Sequence, residues 1–296
     1  MHLTHPVLAA IVRTCAASLV AAASLGLAAC QSTGAPASPV YGISENLVRA
    51  SAPSTTFNSP LGLAVDSSGN VYVANTGGLN IKKISPHGVV SRIGATFNVQ
   101  LPGIVVDKTG TLHVSQYGSG TVLEVSPSGA HGSTVPGFSF PIGLAIDKKG
   151  NIFVGNNLAN TVMEISTTGV VSQVGPTIPG PTGVAVDTKG NVYVAEAGSN
   201  VIAKIAPGGA VSTVGKGFLA PYDVAVDAGG NLYVADTSHN AIKKVATDGK
   251  ITVLGKGFSH PGGVAVDAAR NVYVSDTGHN AIKKISPAGK VTILAQ

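Results

Sequence analysis

The chain has 296 residues, with 19 Lys and Arg against 14 Asp and Glu, and only 11% of its residues are charged. It contains 38 glycines, 17 prolines and no tryptophan, a composition typical of short strands joined by tight turns. The formal net charge of +5 is small for this length. It argues against a nucleic-acid-binding protein, which concentrates Lys and Arg with aromatic residues on one face.

Residues 1–29 have the pattern of a secretory signal sequence. Arg13 precedes an apolar stretch, residues 16–29, that is too short and too rich in alanine to favour a membrane-spanning helix. The stretch ends in Leu-Ala-Ala-Cys, which resembles the bacterial lipobox, in which the cysteine is lipidated. We therefore expect Cys30 to anchor an exported lipoprotein at the outer membrane, its periplasmic side or the cell surface. Ordinary signal cleavage, leaving Cys30 as a free thiol, is the alternative.

Residues 30–56 are predicted to form a flexible tether. They are rich in Ser, Thr, Ala, Gly and Pro and have no hydrophobic period. A flexible chain of this length spans about 25–30 Å, enough to hold a folded domain away from a lipid surface. The sequence leaves open whether a short run near Leu47 adds an edge strand to the end of that domain.

A repeated phrase organises residues 57–296. It contains an aspartate that recurs at intervals of 41, 40, 40, 40 and 40 residues. These residues are Asp66, Asp107, Asp147, Asp187, Asp227 and Asp267. A fixed period of this size indicates a repeat architecture in which no single unit is stable alone.

Each repeat contains four short runs rich in Val, Ile and Tyr. In the fifth repeat these are residues 224–226, 232–235, 242–245 and 251–254. Turn residues separate the runs, as in Asp187-Thr-Lys-Gly-Asn and Ser126-Pro-Ser-Gly, where glycine supplies a positive φ. The pattern predicts an all-β protein, a six-bladed β-propeller of four-stranded antiparallel blades.

The repeats resemble the NHL-repeat family, through the pattern P-x-G-[VIL]-A-[VI]-D-x-x-G-N-[VIL]-[YF]-V-[AS]-[DNE] from residue 60 onward. The resemblance implies a monomeric six-bladed propeller. The expected blades are residues 60–101, 102–140, 141–180, 181–220, 221–260 and 261–296. Arg270 departs from the pattern at a glycine position, where a left-handed backbone would cost about 1 kcal/mol.

The first strand of each repeat is expected to line the central channel. Its side chains are small and apolar, which predicts a channel wall that offers nothing to a charged ligand. A large apolar residue also recurs three residues before the repeat's proline, and we interpret it as a structural plug. These residues are Phe57, Phe138, Ile178, Phe218 and Phe258.

Two Asp–His pairs are the strongest candidates for a metal-binding or acid–base site. Asp236 with His239, and Asp276 with His279, occupy equivalent places in the loops after the second strands of adjacent repeats. Carboxylate and imidazole can bind zinc, and gluconolactonase-like lactonases and amidating lyases, which have a similar architecture, use metals near the axis. The alternative is a hydrogen-bonded loop shared by two similar repeats. Asp223 stands where the other repeats have glycine, at the channel mouth, and is a weaker candidate for calcium.

Lysine pairs in the third strands of three neighbouring repeats predict a basic sector. They are Lys82, Lys83, Lys243, Lys244, Lys283 and Lys284. Such a sector would attract an acidic envelope polymer or the acidic surface of a protein partner. The alternative is that lysines on exposed strands prevent edge-to-edge pairing.

Together these patterns favour a lipid-anchored binding or scaffold propeller of the cell envelope, with no cofactor. The first alternative is a metal-dependent hydrolase or lyase on the loop face, with Ca or Zn. The second is a subunit of a larger envelope complex without a ligand of its own. The virginiamycin-lyase type of propeller is a weaker resemblance. Its repeats carry a strand with tryptophan, whereas this chain has no tryptophan and has Tyr-Val-Ala-Asp in that strand.

Overall fold

The computed structural model describes residues 56–296, which form six separate four-stranded antiparallel sheets. In every sheet the strands pair in the order in which they follow along the chain. The prediction of an all-β six-bladed propeller is therefore confirmed. The predicted signal sequence, Cys30 and most of the predicted tether lie outside the described residues.

The blades are numbered one to six in chain order. Blade one contains β1 (Pro60–Val65), β2 (Val71–Asn75), β3 (Asn80–Ile84) and β4 (Val90–Ile93). Blade two contains β5 (Ile104–Val106), β6 (Leu112–Gln116), β7 (Thr121–Val125) and β8 (His131–Pro136). Blade three contains β9 (Pro141–Ile146), β10 (Ile152–Asn156), β11 (Thr161–Ile165) and β12 (Val171–Gln173).

The remaining blades repeat the same order. Blade four contains β13 (Pro181–Val186), β14 (Val192–Glu196), β15 (Val201–Ile205) and β16 (Val211–Thr213). Blade five contains β17 (Pro221–Val226), β18 (Leu232–Asp236), β19 (Ala241–Val245) and β20 (Ile251–Leu254). Blade six contains β21 (Pro261–Val266), β22 (Val272–Asp276), β23 (Ala281–Ile285) and β24 (Val291–Ala295). One-turn 3₁₀ helices follow the second strands of three blades, at Thr76–Gly78, Thr237–His239 and Thr277–His279.

The innermost strands surround a channel of about 230 Å³, as the sequence predicts. Their apolar side chains, however, pack between blades: Ala185 of blade four joins Val224 and Leu232 of blade five in one buried cluster. Side chains project perpendicular to a sheet, so the strand edge that faces the axis presents backbone N–H and C=O groups. The apolar residues of these strands line the channel, as expected, and backbone groups at the inner strand edges contribute to the same wall.

Two other sequence-based expectations are confirmed. The recurring large apolar residues are buried plugs, with Phe57 and Phe218 each 5% exposed and Ile178 2% exposed. Blade two has an equivalent plug, Phe97, also 5% exposed, which the spacing did not reveal because it lies one residue further from its strand. Arg270 has a left-handed backbone, with φ of 63°.

Within residues 56–296, the ring closes between blades one and six without exchange of a strand. The Thr277 hydroxyl donates to the Pro60 carbonyl at 2.7 Å, and the Ser59 amide donates to Asn280 Oδ1 at 2.8 Å. Phe57 packs in an apolar cluster that contains residues of both blades. Among residues 56–296, no helix is long and apolar enough to cross a membrane.

Replacing Thr277 with Val should weaken this closure. The substitution keeps the shape of the side chain but leaves the Pro60 carbonyl without its donor, which costs about 1–3 kcal/mol. We expect the free energy of unfolding, measured in urea, to fall by that amount. Thr188→Val, at an exposed turn position, is the control and should change stability by less than about 0.5 kcal/mol. Equal stability of the two variants would contradict this account of the closure.

Candidate functional site

The residue that ends the second strand holds the linker entering its own blade. Asp236 is fully buried, and its Oδ1 accepts a hydrogen bond from the Leu219 amide at 2.7 Å. In blade six, Asp276 Oδ1 accepts from the Ser259 amide at 2.6 Å. Asn75 and Asn156 make the same contact in blades one and three through an amide oxygen. We call this contact the linker latch.

The second carboxylate oxygen of Asp236 is occupied as well. Lys243 Nζ lies 2.5 Å from Asp236 Oδ2 and donates to the Gly217 carbonyl at 2.6 Å. His239 Nδ1 contacts the same Oδ2 at 2.8 Å, and the imidazole side chain remains 45% exposed. The buried negative charge is therefore balanced by a lysine from the neighbouring strand, whose ammonium also lies 5.6 Å from the centre of the Phe218 ring.

Blade six repeats this arrangement with equivalent residues. Lys283 Nζ lies 2.5 Å from Asp276 Oδ2 and 2.6 Å from the Gly257 carbonyl oxygen. His279 Nδ1 contacts Asp276 Oδ2 at 2.8 Å. Both aspartates thus have each oxygen engaged, and the two Asp–His pairs are not brought into one group. Within the part of the chain that the structure describes, no cluster of three or more His, Cys, Asp or Glu side chains is suited to a metal ion.

Asp223 is placed at the channel mouth, as expected, and is the one carboxylate among the channel-lining residues of the described chain. Its Oδ1 accepts from its neighbour Val224 N and its Oδ2 accepts from Val264 N of blade six, both at 2.9 Å. Burial raises the pKa of this carboxyl to about 7, although the two amide donors lower it. Glycine is required at the equivalent place in blade four, where a Cβ on Gly183 would lie 2.2 Å from Asp223 Oδ1.

Comparison with known families identifies the repeats. The NHL repeat model matches residues 57–84, 218–245 and 258–285, which belong to blades one, five and six. The chain contains NHL repeats. Comparison with curated protein sequences finds no significant match.

Several solved structures are similar to the NHL-repeat propeller in fold. A gluconolactonase from Xanthomonas campestris shares 15% identity with a TM-score of 0.66, over 74% of this chain and 84% of that one. Virginiamycin B lyase from Staphylococcus aureus shares 16% identity with a TM-score of 0.61, over 79% and 83%. A chain of a nidogen–laminin complex shares 16% identity with a TM-score of 0.66, over 72% and 89%. At these identities the likeness is one of fold alone.

The six lysines predicted as one basic sector fall into two sets. Lys82, Lys243 and Lys283 turn toward the linkers, where each donates to a linker carbonyl: Lys82 contacts Thr56, and the other two contact Gly217 and Gly257. The second lysine of each pair lies on the opposite face of its sheet, over a tyrosine ring. These contacts are Lys83 over Tyr72, Lys244 over Tyr233 and Lys284 over Tyr273. The second set alone offers ammonium groups that are not committed to a linker.

One further set of polar residues in these NHL repeats escaped the sequence analysis. Four asparagines with left-handed backbones each accept, through Oδ1, a hydrogen bond from an amide on the linker to the next blade, which lies 20 residues later for three of them. The pairs are Asn160–Gly180, Asn200–Ala220, Asn240–His260 and Asn280 with Ser59 across the ring closure. The regular recurrence of Asn every 40 residues was the available signal.

The linker latch predicts different effects for adjacent lysines. Lys243→Met removes the cation that balances the fully buried Asp236 carboxylate, and it should cost about 3 kcal/mol or more of unfolding free energy. Lys244→Met removes an ammonium over Tyr233 and should cost less than about 1 kcal/mol. Chemical denaturation of the two variants measures the difference. Similar losses would contradict the assignment of Lys243 to the latch.

The raised pKa of Asp223 predicts that the stability of the fold depends on pH. An acid whose pKa is higher in the folded state binds its proton more tightly there, so protonation stabilises the fold. This contribution is present at low pH and is lost as the pH rises from about 4 to about 7. We therefore expect the unfolding free energy of the natural protein to fall relative to that of Asp223→Asn as the pH rises through this interval. A difference that stays flat across it would contradict the raised pKa.

Proposed function

We propose that the protein is a non-catalytic binding or scaffold module of the cell envelope, held to a membrane through a lipid on Cys30. Its binding surface is the face formed by the loops between second and third strands together with the linkers between blades. We call this surface the loop face. The partner is an envelope protein or an acidic envelope polymer.

An apolar patch on the loop face is the observation that carries this proposal. The Phe140 side chain is 37% exposed and packs edge-on against Tyr117, with ring centres 4.6 Å apart. Leu158 is 64% exposed and lies beside the same linker, where its amide donates to the Ser139 carbonyl. Exposed aromatic and aliphatic side chains grouped in this way are typical of protein interaction sites.

The chemistry of the loop face also favours binding over catalysis. The aspartates of both Asp–His pairs are saturated by a linker amide, a lysine and a histidine, so each is part of the support of the loop. Both oxygens of each carboxylate are engaged by neighbouring groups of the protein, so neither carboxylate is presented to a ligand. The face is therefore a rigid platform that presents the patch.

Site-specific photo-crosslinking in intact cells tests the proposal. A photoreactive residue at position 158 should capture a distinct envelope partner. Position 170 is the matched control, since Val170 is 63% exposed against 64% for Leu158 but lies at the opposite end of the blade, in the turn between β11 and β12. Capture at neither position, or equal capture at both, would contradict the proposed use of the loop face.

The lipid anchor is tested separately by Cys30→Ser. If Cys30 carries the lipid, the variant should move from the membrane fraction to the soluble fraction after cell disruption, while the thermal unfolding of its propeller stays unchanged. Retention of the variant in the membrane fraction would contradict anchoring through this residue.

A hydrolase or lyase is the second candidate, and Asp223 is the observation that favours it. A carboxyl with a pKa of about 7 at a channel mouth is suited to general acid or base catalysis near neutral pH. The activities to screen are lactone hydrolysis and lyase reactions, because a gluconolactonase and virginiamycin B lyase have a similar fold. Turnover abolished by Asp223→Asn would replace the scaffold proposal with this one.

A further inference from the structure

Blade four breaks the pattern of the linker latch in two places at once. Glu196 ends its second strand, at the position of Asp236 and Asp276. The linker residue that would donate an amide to it is Pro179, which has no N–H. The third-strand residue that would supply the ammonium is Ala203, where blades five and six have Lys243 and Lys283.

Glu196 is nevertheless buried, with 6% of the residue exposed. Burial raises the pKa of Glu196, and Ser199, on the exposed loop that follows, partly offsets this effect. No ion pair in the described part of the chain involves Glu196; those found belong to Asp236 and Asp276. A buried carboxylate without a cation is costly, which makes an external cation favourable at this place.

Blades five and six show what such a cation would contact. Each ammonium lies between the carboxylate that ends the second strand and a linker carbonyl, that of Gly217 or Gly257. The equivalent linker residue in blade four is Thr177, which is exposed, and the equivalent of the Phe plug is Ile178. Blade four thus keeps a carboxylate and a carbonyl position but lacks the internal lysine.

We propose that blade four binds a primary ammonium group of a ligand where blades five and six hold their own lysine, with Glu196 and the Thr177 carbonyl as acceptors. The ligand class is an alkylammonium, supplied either by a lysine side chain of a protein partner or by a small aliphatic amine. Since a compact ammonium has three donors, it matches two oxygen acceptors and leaves one donor for solvent. This inference rests on the proposed binding role of the loop face.

The first test uses n-butylammonium as a probe of the full-length protein labelled with ¹⁵N. Saturable shifts of the Ser199 and Ala203 amides are expected on titration. Glu196→Gln should weaken the binding by about tenfold or more, because a charge-assisted hydrogen bond is lost. Absence of saturable shifts in the natural protein, or undiminished binding by Glu196→Gln, would overturn the proposal.

Ala203→Lys provides the internal occupant and is the sharper test. The new lysine should fill the site as in blades five and six, so probe binding should be lost, the melting temperature should rise and the pKa of Glu196 should fall. Ala203→Met is the matched control, because blade three has Met163 at this position. It should produce none of the three effects of the positive charge. An Ala203→Lys protein that still binds the probe, or whose Glu196 pKa is unchanged, would refute the site.

The source of the ammonium is distinguished by a second probe. A short peptide with one lysine that binds tighter than n-butylammonium assigns the site to a protein partner, whereas tighter binding of the free amine assigns it to a small molecule. Failure of both probes while crosslinking from position 158 persists would reject this site and leave the scaffold function standing. Loss of crosslinking with intact probe binding would reject the scaffold function instead.

Discussion

The linker latch fixes four of the six blades of the propeller beside their linkers. A four-stranded sheet buries its faces only against neighbouring sheets, so the fold requires each blade to be held at a fixed place beside the next. The latch does this at the loop face, where Asp236 accepts the Leu219 amide and thereby fixes the linker at the start of blade five. Thr237 then donates to the Pro261 carbonyl at 2.8 Å and ties the same loop to blade six.

The latch gives the residues of the two Asp–His pairs a structural role, although their types are also those of a catalytic site. A fully buried carboxylate needs a balancing charge, which Lys243 provides, and His239 makes a further contact with the same carboxylate oxygen. The result is an Asp–His–Lys cluster at the end of two strands and the loop between them, with the residue types that an acid–base or metal site requires. Glu196 in blade four is an informative exception, since its carboxylate keeps the position while both supporting partners are replaced.

Much of the fold could be predicted from the sequence, and the failures have physical causes. The 40-residue period, the turn residues and the plugs Phe57 and Phe218 identify blades because they recur in most copies. The sequence analysis assigned Lys243 and Lys244 to one basic surface. Neighbouring residues of a strand point to opposite faces of the sheet, so the two side chains could not share that surface. The contribution of backbone groups to the channel wall was missed, because residue types do not reveal it. The hydrogen bond from the Leu219 amide to Asp236 could not be predicted, because it depends on the path of a linker 17 residues earlier in the chain.

Native-state hydrogen exchange tests the latch most directly. The amides of Leu219 and Ser259 belong to linkers on the protein surface, yet both are bonded to fully buried carboxylates. The account predicts that these two amides exchange as slowly as strand amides and open only with global unfolding. Exchange of both at the rate of an unprotected loop would contradict the claim that the buried aspartates hold the propeller together.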